Sequence, residues 1–255
     1  MKKIIISLTT VFVSLFAASC LVLEETRFNE DGSVYYSISI DGSPMIDFFS
    51  ETFDSLNNNN KQTIDTIISL ADTYENMSDS ISQLPLEEQQ QLESLKQFNL
   101  KMNYDTDEGL LKAQFYGDFV NFNAFQNAMA NVDKVEAIPT NDNKVSIGRL
   151  GYLMSKDNAI PFGNNKIEWD GKILKNTIIS SSKIYDEEST DKELTDDPLA
   201  LMKYTIVYTF PKEVKSVNNT AYSISENGKT VTQTFDLPEY VKNPEISSVI
   251  IELED

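Results

Sequence analysis

The chain has 255 residues, of which 40% are hydrophobic and 10% aromatic, and its formal net charge is −19. This composition argues against disorder, because a chain of this length and apolar content can bury a sizeable core. The acidity argues against nucleic acid as a partner, since phosphate binding requires clustered Lys and Arg, and it favours a soluble, strongly charged surface.

The N-terminus has the order of a secretory signal peptide. Lys2 and Lys3 precede a largely apolar stretch from Ile4 to Ala17, and this stretch is short for a membrane span. We therefore expect residues 1–19 to be a signal peptide that is removed on export. A retained membrane anchor is the alternative.

The only cysteine ends the signal segment. The run Ala17–Cys20 resembles a bacterial lipobox, in which the chain is cut between Ser19 and Cys20 and the cysteine thiol is acylated. Most lipoboxes have Leu where this chain has Ala17, and an ordinary signal peptide with a chance cysteine is the alternative. We expect Cys20 to carry palmitate or similar acyl chains, which anchor by about 0.8 kcal/mol for each buried CH₂.

The expected mature chain begins at Cys20. Removal of residues 1–19 leaves 236 of the 255 residues, and loss of Lys2 and Lys3 takes the charge from −19 to −21. No second cysteine exists for a disulfide, so the apolar core must hold the fold together. We expect a single exported domain over residues 20–255. The residue after the cysteine is Leu21 rather than Asp, which is compatible with the outer membrane or the cell surface.

The first predicted element of the mature chain is a β-hairpin. Residues 29–33 (NEDGS) have the composition of a tight turn. After this turn, hydrophobic residues alternate with polar ones, which predicts a strand with one buried face. The alternating hydrophobic residues are Val34, Tyr36, Ile38 and Ile40. The first strand begins within a few residues of Cys20, so the folded domain should lie close to the membrane.

A helical segment is predicted from Pro44 to about Phe98. Its first helix has apolar residues at helical spacing up to Leu56, and Asn57–Asn60 interrupt the pattern. The second helix is predicted from Ile64, Ile67, Ile68, Ala71 and Tyr74. The third covers Leu86 to Gln97. These apolar faces should pack on the sheet, although an apolar helix face can also bind a partner helix or lipid.

The rest of the chain is mainly strand-like. Strands are predicted on both sides of a turn at residues 105–109, followed by a short helix at 122–132. Residues 166–172 (KIEWDGK) and 226–229 (ENGK) predict two further hairpin turns. Further strands are predicted near residues 204–210, 221–225, 230–235 and 247–253. The fold class expected is α+β: an antiparallel sheet with helices packed on one side and the helical segment inserted after the first hairpin.

Three stretches share a pattern with a known family. They are Cys20–Ser33 (CLVLEETRFNEDGS), Val207–Val214 (VYTFPKEV) and Glu226–Thr232 (ENGKTVT). Together they resemble the LppM-like bacterial envelope lipoproteins. The resemblance implies an acylated Cys20, a charged first hairpin and a late strand pair of the form F-P-x-x-V and G-K-x-V, but no catalytic residue. The family often has Trp shortly after the last motif, where this chain has Gln233, and the helical segment lies outside the match.

The residue types available for chemistry are few. The chain has no histidine, which removes the commonest general base and transition-metal ligand. Acylation of Cys20 would leave no thiol. Ser180 and Lys183 are spaced like a catalytic dyad but lack companion motifs. We therefore expect no catalytic residues and no cofactor.

Carboxylates are the remaining candidate metal ligands. The stretch Asp105–Gly109 resembles the opening of a calcium loop, but the Gly and Glu required further along are Leu110 and Tyr116. The acidic run at residues 186–197 fits a solvated surface better than a cation site, so no metal is expected. Trp169, the single tryptophan, is expected to pack beside its hairpin turn.

Two functions remain open from the sequence. The first is a non-enzymatic lipoprotein, attached through acylated Cys20, that binds a protein or lipid partner at the cell envelope. The second is a hydrolase that uses paired carboxylates on envelope or extracellular glycans. Two carboxylates facing one cleft would favour the hydrolase, an apolar cavity would favour a lipid, and a flat acidic face would favour a basic protein.

Overall fold

The computed structural model describes residues 21–46, 63–105, 107–132, 165–178 and 202–255. Its strands are β1 (Leu21–Phe28), β2 (Val34–Asp41), β3 (Thr63–Ser69), β4 (Phe98–Asp105), β5 (Leu110–Phe119), β6 (Asn165–Trp169), β7 (Ile173–Ile178), β8 (Lys203–Thr209), β9 (Val214–Val217), β10 (Ser223–Ile224), β11 (Thr230–Asp236) and β12 (Val249–Leu253). Its α-helices are α1 (Leu70–Asn76), α2 (Ser78–Ile81), α3 (Leu86–Ser94), α4 (Phe122–Val132) and α5 (Leu237–Lys242). Short 3₁₀ helices cover Ser43–Met45, Leu95–Gln97 and Pro244–Ser247.

The fold is α+β, as the sequence predicts. The large sheet has eight strands in the order β10-β11-β8-β1-β2-β5-β4-β3, and a smaller sheet has four in the order β6-β7-β12-β9. The strand pairs are antiparallel except β1 and β8, which run parallel. The second sheet and the parallel pair were not anticipated, because period-two patterns reveal strands but not which strands pair.

One face of the large sheet carries the core. On β1, β2 and β8 the even-numbered residues point to this inner face and are mostly buried. Helix α4 covers the β2 side, where Phe125 lies 5.5 Å from Tyr36 between ring centroids. On the β8 side, α5 and the smaller sheet form the cover, and the rings of Tyr240 and Tyr204 stack at 4.4 Å. Both the helices and the smaller sheet therefore pack on one side of the large sheet.

The first hairpin forms as predicted. β1 and β2 pair from Leu21↔Asp41 to Phe28↔Val34. In the turn, the Asn29 amide donates to the Ser33 carbonyl at 2.9 Å, and Gly32 has a φ of +84°. The side chain of Asp31 accepts from the Ser33 amide at 3.0 Å. Glycine is favoured at position 32 because other residues adopt a positive φ at a cost.

The second predicted helix is wrong over its first half. Thr63–Ser69 forms strand β3, which pairs with β4 from Thr63↔Asp105 to Ser69↔Asn99. The spacing of Ile64, Ile67 and Ile68 fits a helix, but five of the seven residues are β-branched and favour an extended strand. The helix begins only at Leu70, where the Ser69 side chain accepts from the Asp72 amide and caps it.

The later elements largely follow the predictions. Helices α3 and α4, strands β4 and β5, and the hairpins at Asp170–Gly171 and Glu226–Lys229 are confirmed. Strand β9 and helix α5 were not predicted as separate elements. The signal peptide, Cys20, most of the first predicted helix and the acidic run at 186–197 lie outside the described residues.

Candidate functional site

Leu21, the residue after the expected anchor, begins a central strand of the large sheet. Cys20 and Ser19 lie outside the described residues, but β1 begins at Leu21 and has four strands on one side and three on the other. Leu21 pairs with Asp41 of β2 and Lys203 of β8. This end of the sheet is therefore where an acyl group on Cys20 would attach.

Ion pairs flank the start of β1 on both sides. Lys112 lies 3.3 Å from Asp41 across the β2–β5 pair, and Lys203 forms an ion pair with Asp236 across the β8–β11 pair. We call these four residues the anchor-proximal rim. Each cation in the rim has an acidic partner, so the rim adds no net charge. Among the described helices, none is long and apolar enough to cross a membrane.

A carboxylate sits on the inner face of the sheet. Glu24 lies on β1 between Val22 and Thr26, both of which are almost fully buried. It is opposite Ile38 of β2 and Ile206 of β8. Glu24 is less buried than these two neighbours and remains partly accessible to solvent.

Two tyrosines hold the Glu24 carboxylate. Tyr36 donates its hydroxyl proton to Oε1 at 3.2 Å, and Tyr204 donates to Oε2. Burial raises the pKa of Glu24 above its ordinary value, and the hydrogen bonds from Tyr204 and Tyr36 oppose this shift without cancelling it. Burial, together with the nearby Glu24 charge, also raises the pKa values of the Tyr36 and Tyr204 hydroxyls, which therefore remain donors.

The hydrogen-bonding network continues beyond Glu24. The Tyr240 hydroxyl interacts with Tyr204 and with Ser247. Between the two sheets, the Asn176 side-chain amide donates to the Tyr208 hydroxyl at 2.8 Å. The buried Asn176 Oδ1 and Gln233 Oε1 have no hydrogen-bond partner among the described residues. Such unpaired buried oxygens are uncommon and costly.

The direct partners of the Glu24 carboxylate are hydroxyl groups. Hydrolysis by paired carboxylates uses two acids about 5–10 Å apart, whereas among the described residues the groups that hydrogen-bond the Glu24 carboxylate are Tyr36 and Tyr204. The described residues hold no group of three or more His, Cys, Asp or Glu side chains arranged for a metal. On its own, Glu24 can exchange a proton or accept hydrogen bonds.

Sequence reasoning did not single out Glu24. A signal was nevertheless present, because Val22, Thr26 and Phe28 share its parity along the strand. Once the hairpin register is known, Glu24 falls opposite Ile38 on the buried face. The missing information was that a third strand, β8, brings Tyr204 from a distant part of the chain.

The other predicted site residues have structural roles or lie outside the described residues. Asp105 Oδ1 accepts from the amides of Asp107 and Glu108 at 2.9 and 3.1 Å, which closes the β4–β5 turn. Trp169 has the packing role predicted for it: its ring centroid lies 4.6 Å from that of Phe28 and 5.7 Å from that of Phe210. These contacts join the two sheets, which was not predicted. Ser180 and Lys183 are outside the described residues.

The outer face of the large sheet is polar and solvent-accessible. Arg27 and Glu25 form an ion pair at 2.7 Å, and the Arg27 guanidinium lies 5.0 Å from the Tyr35 ring centroid. Gln114 donates to the Tyr35 hydroxyl at 3.4 Å. Small polar residues occupy much of the remaining face: Ser39, Thr205, Thr209, Thr230, Thr232 and Thr234. This face is neither apolar nor strongly acidic.

An apolar cleft lies among the helices. Its cavity volume is about 20 Å³, and it is partly open to solvent. Its lining residues are Leu70, Thr73, Tyr74, Met77, Ile81, Leu92 and Leu95. Small-molecule sites usually measure about 300–1,000 Å³, so this cleft is small for a long acyl chain.

The two late segments that resemble the LppM-like lipoproteins lie together. The Phe210 amide donates to the Lys229 carbonyl at 2.9 Å, and the Val214 amide donates to the Gly228 carbonyl at 2.7 Å. The Lys229 ammonium also reaches the Pro211 carbonyl at 2.6 Å. Their shared pattern thus describes one strand junction, not a reactive site.

No protein-family model matches the sequence, and no curated protein matches it. Among solved structures, the chain is similar to the NMR structure of the folded domain of Mycobacterium tuberculosis LppM. The two share 12% identity over 93% of this chain and 90% of that chain, with a TM-score of 0.40. This likeness is distant, and values this low do not place the chain in a family.

Proposed function

We propose that this chain is a lipoprotein of the bacterial cell envelope, anchored through acylated Cys20, that acts by binding a partner and not by catalysis. One observation carries the anchoring part: β1 begins at Leu21, the residue after Cys20, in the middle of the large sheet. An acyl group there would hold the folded sheet at the membrane without a flexible tether. The charge-balanced rim beside Leu21 is consistent with this proposal, because both of its carboxylates are paired with lysines.

The absence of catalysis is supported by residue types. The chain has no histidine, and Glu24 is held by tyrosines without a second carboxylate among the groups that contact it. Release of reducing sugar from envelope glycans by the purified chain would contradict the non-enzymatic proposal.

A protein is the favoured class of partner. A lipid carrier needs a cavity for acyl chains, and the apolar cleft among α1, α2 and α3 is small for that purpose. The described domain instead offers sheet surfaces and edges that are accessible to solvent. Because the outer face is polar, we expect an interface of moderate affinity.

Two measurements test the proposal. The first is metabolic labelling with an alkyne fatty acid: the native chain should be labelled and found in membranes, whereas Cys20→Ala should be unlabelled and released. The second is light cross-linking in native membranes, followed by gentle detergent extraction and mass spectrometry. Recovery of one specific protein supports the proposal. An unlabelled native chain contradicts the anchor, and a stoichiometric lipid without a protein contradicts the favoured partner class.

A further inference from the structure

We propose that the outer edge of β3, which pairs with β4 alone among the described strands, is a docking site for an extended segment of a partner protein, which would add a strand to the large sheet. This inference rests on the proposed function, because it names how that protein partner is held. In this mode, main-chain hydrogen bonds provide affinity and alternate side chains provide specificity. The evidence lies in how β3 differs from the other sheet edges.

The other described edges are protected in the ways that native proteins use. The opposite edge of the large sheet is β10, which has only two residues. In the smaller sheet, edge strand β6 carries Lys166 and Glu168, joined by an ion pair at 2.7 Å. The edge strand β9 has four residues and includes Lys215, which pairs with Glu252 at 2.7 Å.

Strand β3 is less protected, with Asp65 as its single charged residue. It is the longest of the four edges at seven residues, its sequence is TIDTIIS, and it contains no Lys, Pro or Gly. Ile67 has 59% of its surface exposed. Such an edge presents main-chain donors and acceptors on a strand with high β-propensity, which is a template for strand addition.

The side chains of β3 define what the added strand should contain. Ile64 and Ile68 lie on the inner face and pack partly against the core, so an added strand should have apolar residues beside them. On the outer face, Asp65 is the only charged residue of β3. The added strand should therefore carry a cation opposite Asp65, and the chain's net charge of −19 also favours a basic segment.

A second copy of the chain fits this edge less well. If two β3 strands paired antiparallel, one copy would be rotated by 180° relative to the other. The two Leu21 residues would then lie at opposite ends of the joined sheet. Two copies standing on one membrane cannot meet in that arrangement. Parallel pairing about a two-fold axis would set the apolar inner face of one copy beside the polar outer face of the other. Net charge also opposes self-association.

The test uses the full-length acylated chain in detergent micelles and the labelled peptide Thr-Val-Lys-Val-Lys-Val-Thr. Its Lys residues can lie opposite Asp65 in either strand direction. Fluorescence anisotropy should show saturable binding, and hydrogen exchange should slow at residues 63–69 but not in β6 or β9. Methylation of the central backbone nitrogens of the peptide should weaken binding by about tenfold, because main-chain hydrogen bonds are lost.

Charge reversal provides the matched control. Asp65→Lys should weaken binding of this peptide by roughly two- to fivefold and should favour the same peptide with Glu in place of Lys. Glu226→Lys makes the same charge change in an exposed turn and should leave binding unchanged. If the methylated peptide binds equally well, or if protection appears elsewhere, the β3 site is wrong.

Two outcomes separate this inference from the proposed function. If cross-linking still recovers a partner protein while Asp65→Lys and Ile67→Glu do not reduce its capture, the envelope function stands and the β3 site is overturned. If sedimentation shows a dimer of the native chain that Ile67→Glu abolishes, the occupant is a second copy and this inference is overturned. If the native chain takes up no alkyne fatty acid, the proposed function is contradicted, whereas the β3 site is not.

Discussion

The Tyr204 hydroxyl donates a hydrogen bond to the Glu24 carboxylate across the parallel β1–β8 pair. The two residues are 180 positions apart in the chain. Their contact links the first hairpin to a late strand, and Tyr240 of α5 stacks on the Tyr204 ring. The Glu24 carboxyl, whose pKa is raised, therefore lies where the large sheet meets α5. Protonation of this carboxyl should affect the stability of the fold.

Glu24→Gln should make the folded state less sensitive to pH. Burial raises the folded-state pKa of Glu24 above its ordinary value of 4.5. The stability it contributes is therefore fully present below that value and is lost as pH rises through the higher folded-state pKa. Urea unfolding between acidic and neutral pH should show the variant gaining stability relative to the native chain as pH rises.

The control for this change is Glu226→Gln in the exposed β10–β11 turn. It removes one negative charge without touching the core, so its effect on the free energy of unfolding should stay within about 0.5 kcal/mol. If Glu24→Gln follows the same pH curve as the native chain, the carboxyl is not desolvated in the folded state.

Tyr204→Phe should raise the pKa of Glu24 further. The Tyr204 hydroxyl stabilises the ionised carboxylate and lowers the pKa of Glu24, whereas burial raises it. Without this hydroxyl, the effect of burial on the pKa is less opposed. We expect a loss of about 1–2 kcal/mol in the free energy of unfolding at neutral pH. Carbon-detected NMR titration of the Glu24 carboxyl measures the pKa directly. Tyr36→Phe should cause a smaller rise because its bond is longer, at 3.2 Å; equal or downward shifts would contradict the geometry.

A double-mutant cycle should show that Asn176 and Tyr208 act as a pair. Asn176→Leu removes the donor to the Tyr208 hydroxyl and should cost about 1–3 kcal/mol, because a buried hydroxyl is left unpaired. Adding Tyr208→Phe removes that unpaired hydroxyl. The Asn176→Leu change has already removed the unpaired Asn176 Oδ1. The double variant should therefore be more stable than the single Asn176→Leu variant, as measured by urea unfolding. Additive losses would show that the two side chains are not coupled.

Gly117→Ala should destabilise the contact between β5 and the segment before β4. A Cβ at position 117 would lie 2.7 Å from the Gln97 carbonyl oxygen and 3.1 Å from both Phe98 and Phe119. Because one neighbour is backbone, we expect a cost of about 3 kcal/mol in thermal or urea unfolding. Gly109→Ala is the matched control: its φ is +65° and nothing lies within 4 Å, so the cost should be about 1 kcal/mol. The reverse order would contradict the packing of Gln97 on β5.

The candidate sites were only partly predictable from the sequence. The pattern around Cys20 is local, so it could be recognised without a fold. The Glu24 cluster combines residues from β1, β2, β8 and α5, and each of these looks ordinary in its own segment. The edge at β3 was hidden for a different reason: Ile64, Ile67 and Ile68 satisfy both helical spacing and strand preference, and only pairing with β4 decides between them.

By itself, the sequence determined the α+β class, the first hairpin with its Asp31-Gly32 turn, the strands β4 and β5, and the helices α3 and α4. These elements follow from alternation, turn residues and apolar spacing within short windows. Only the tertiary structure decided that β8 returns parallel to β1, that four strands form a second sheet, and that Thr63–Ser69 ends the large sheet as a strand. Those choices depend on contacts between distant segments, whose free energy no local pattern contains.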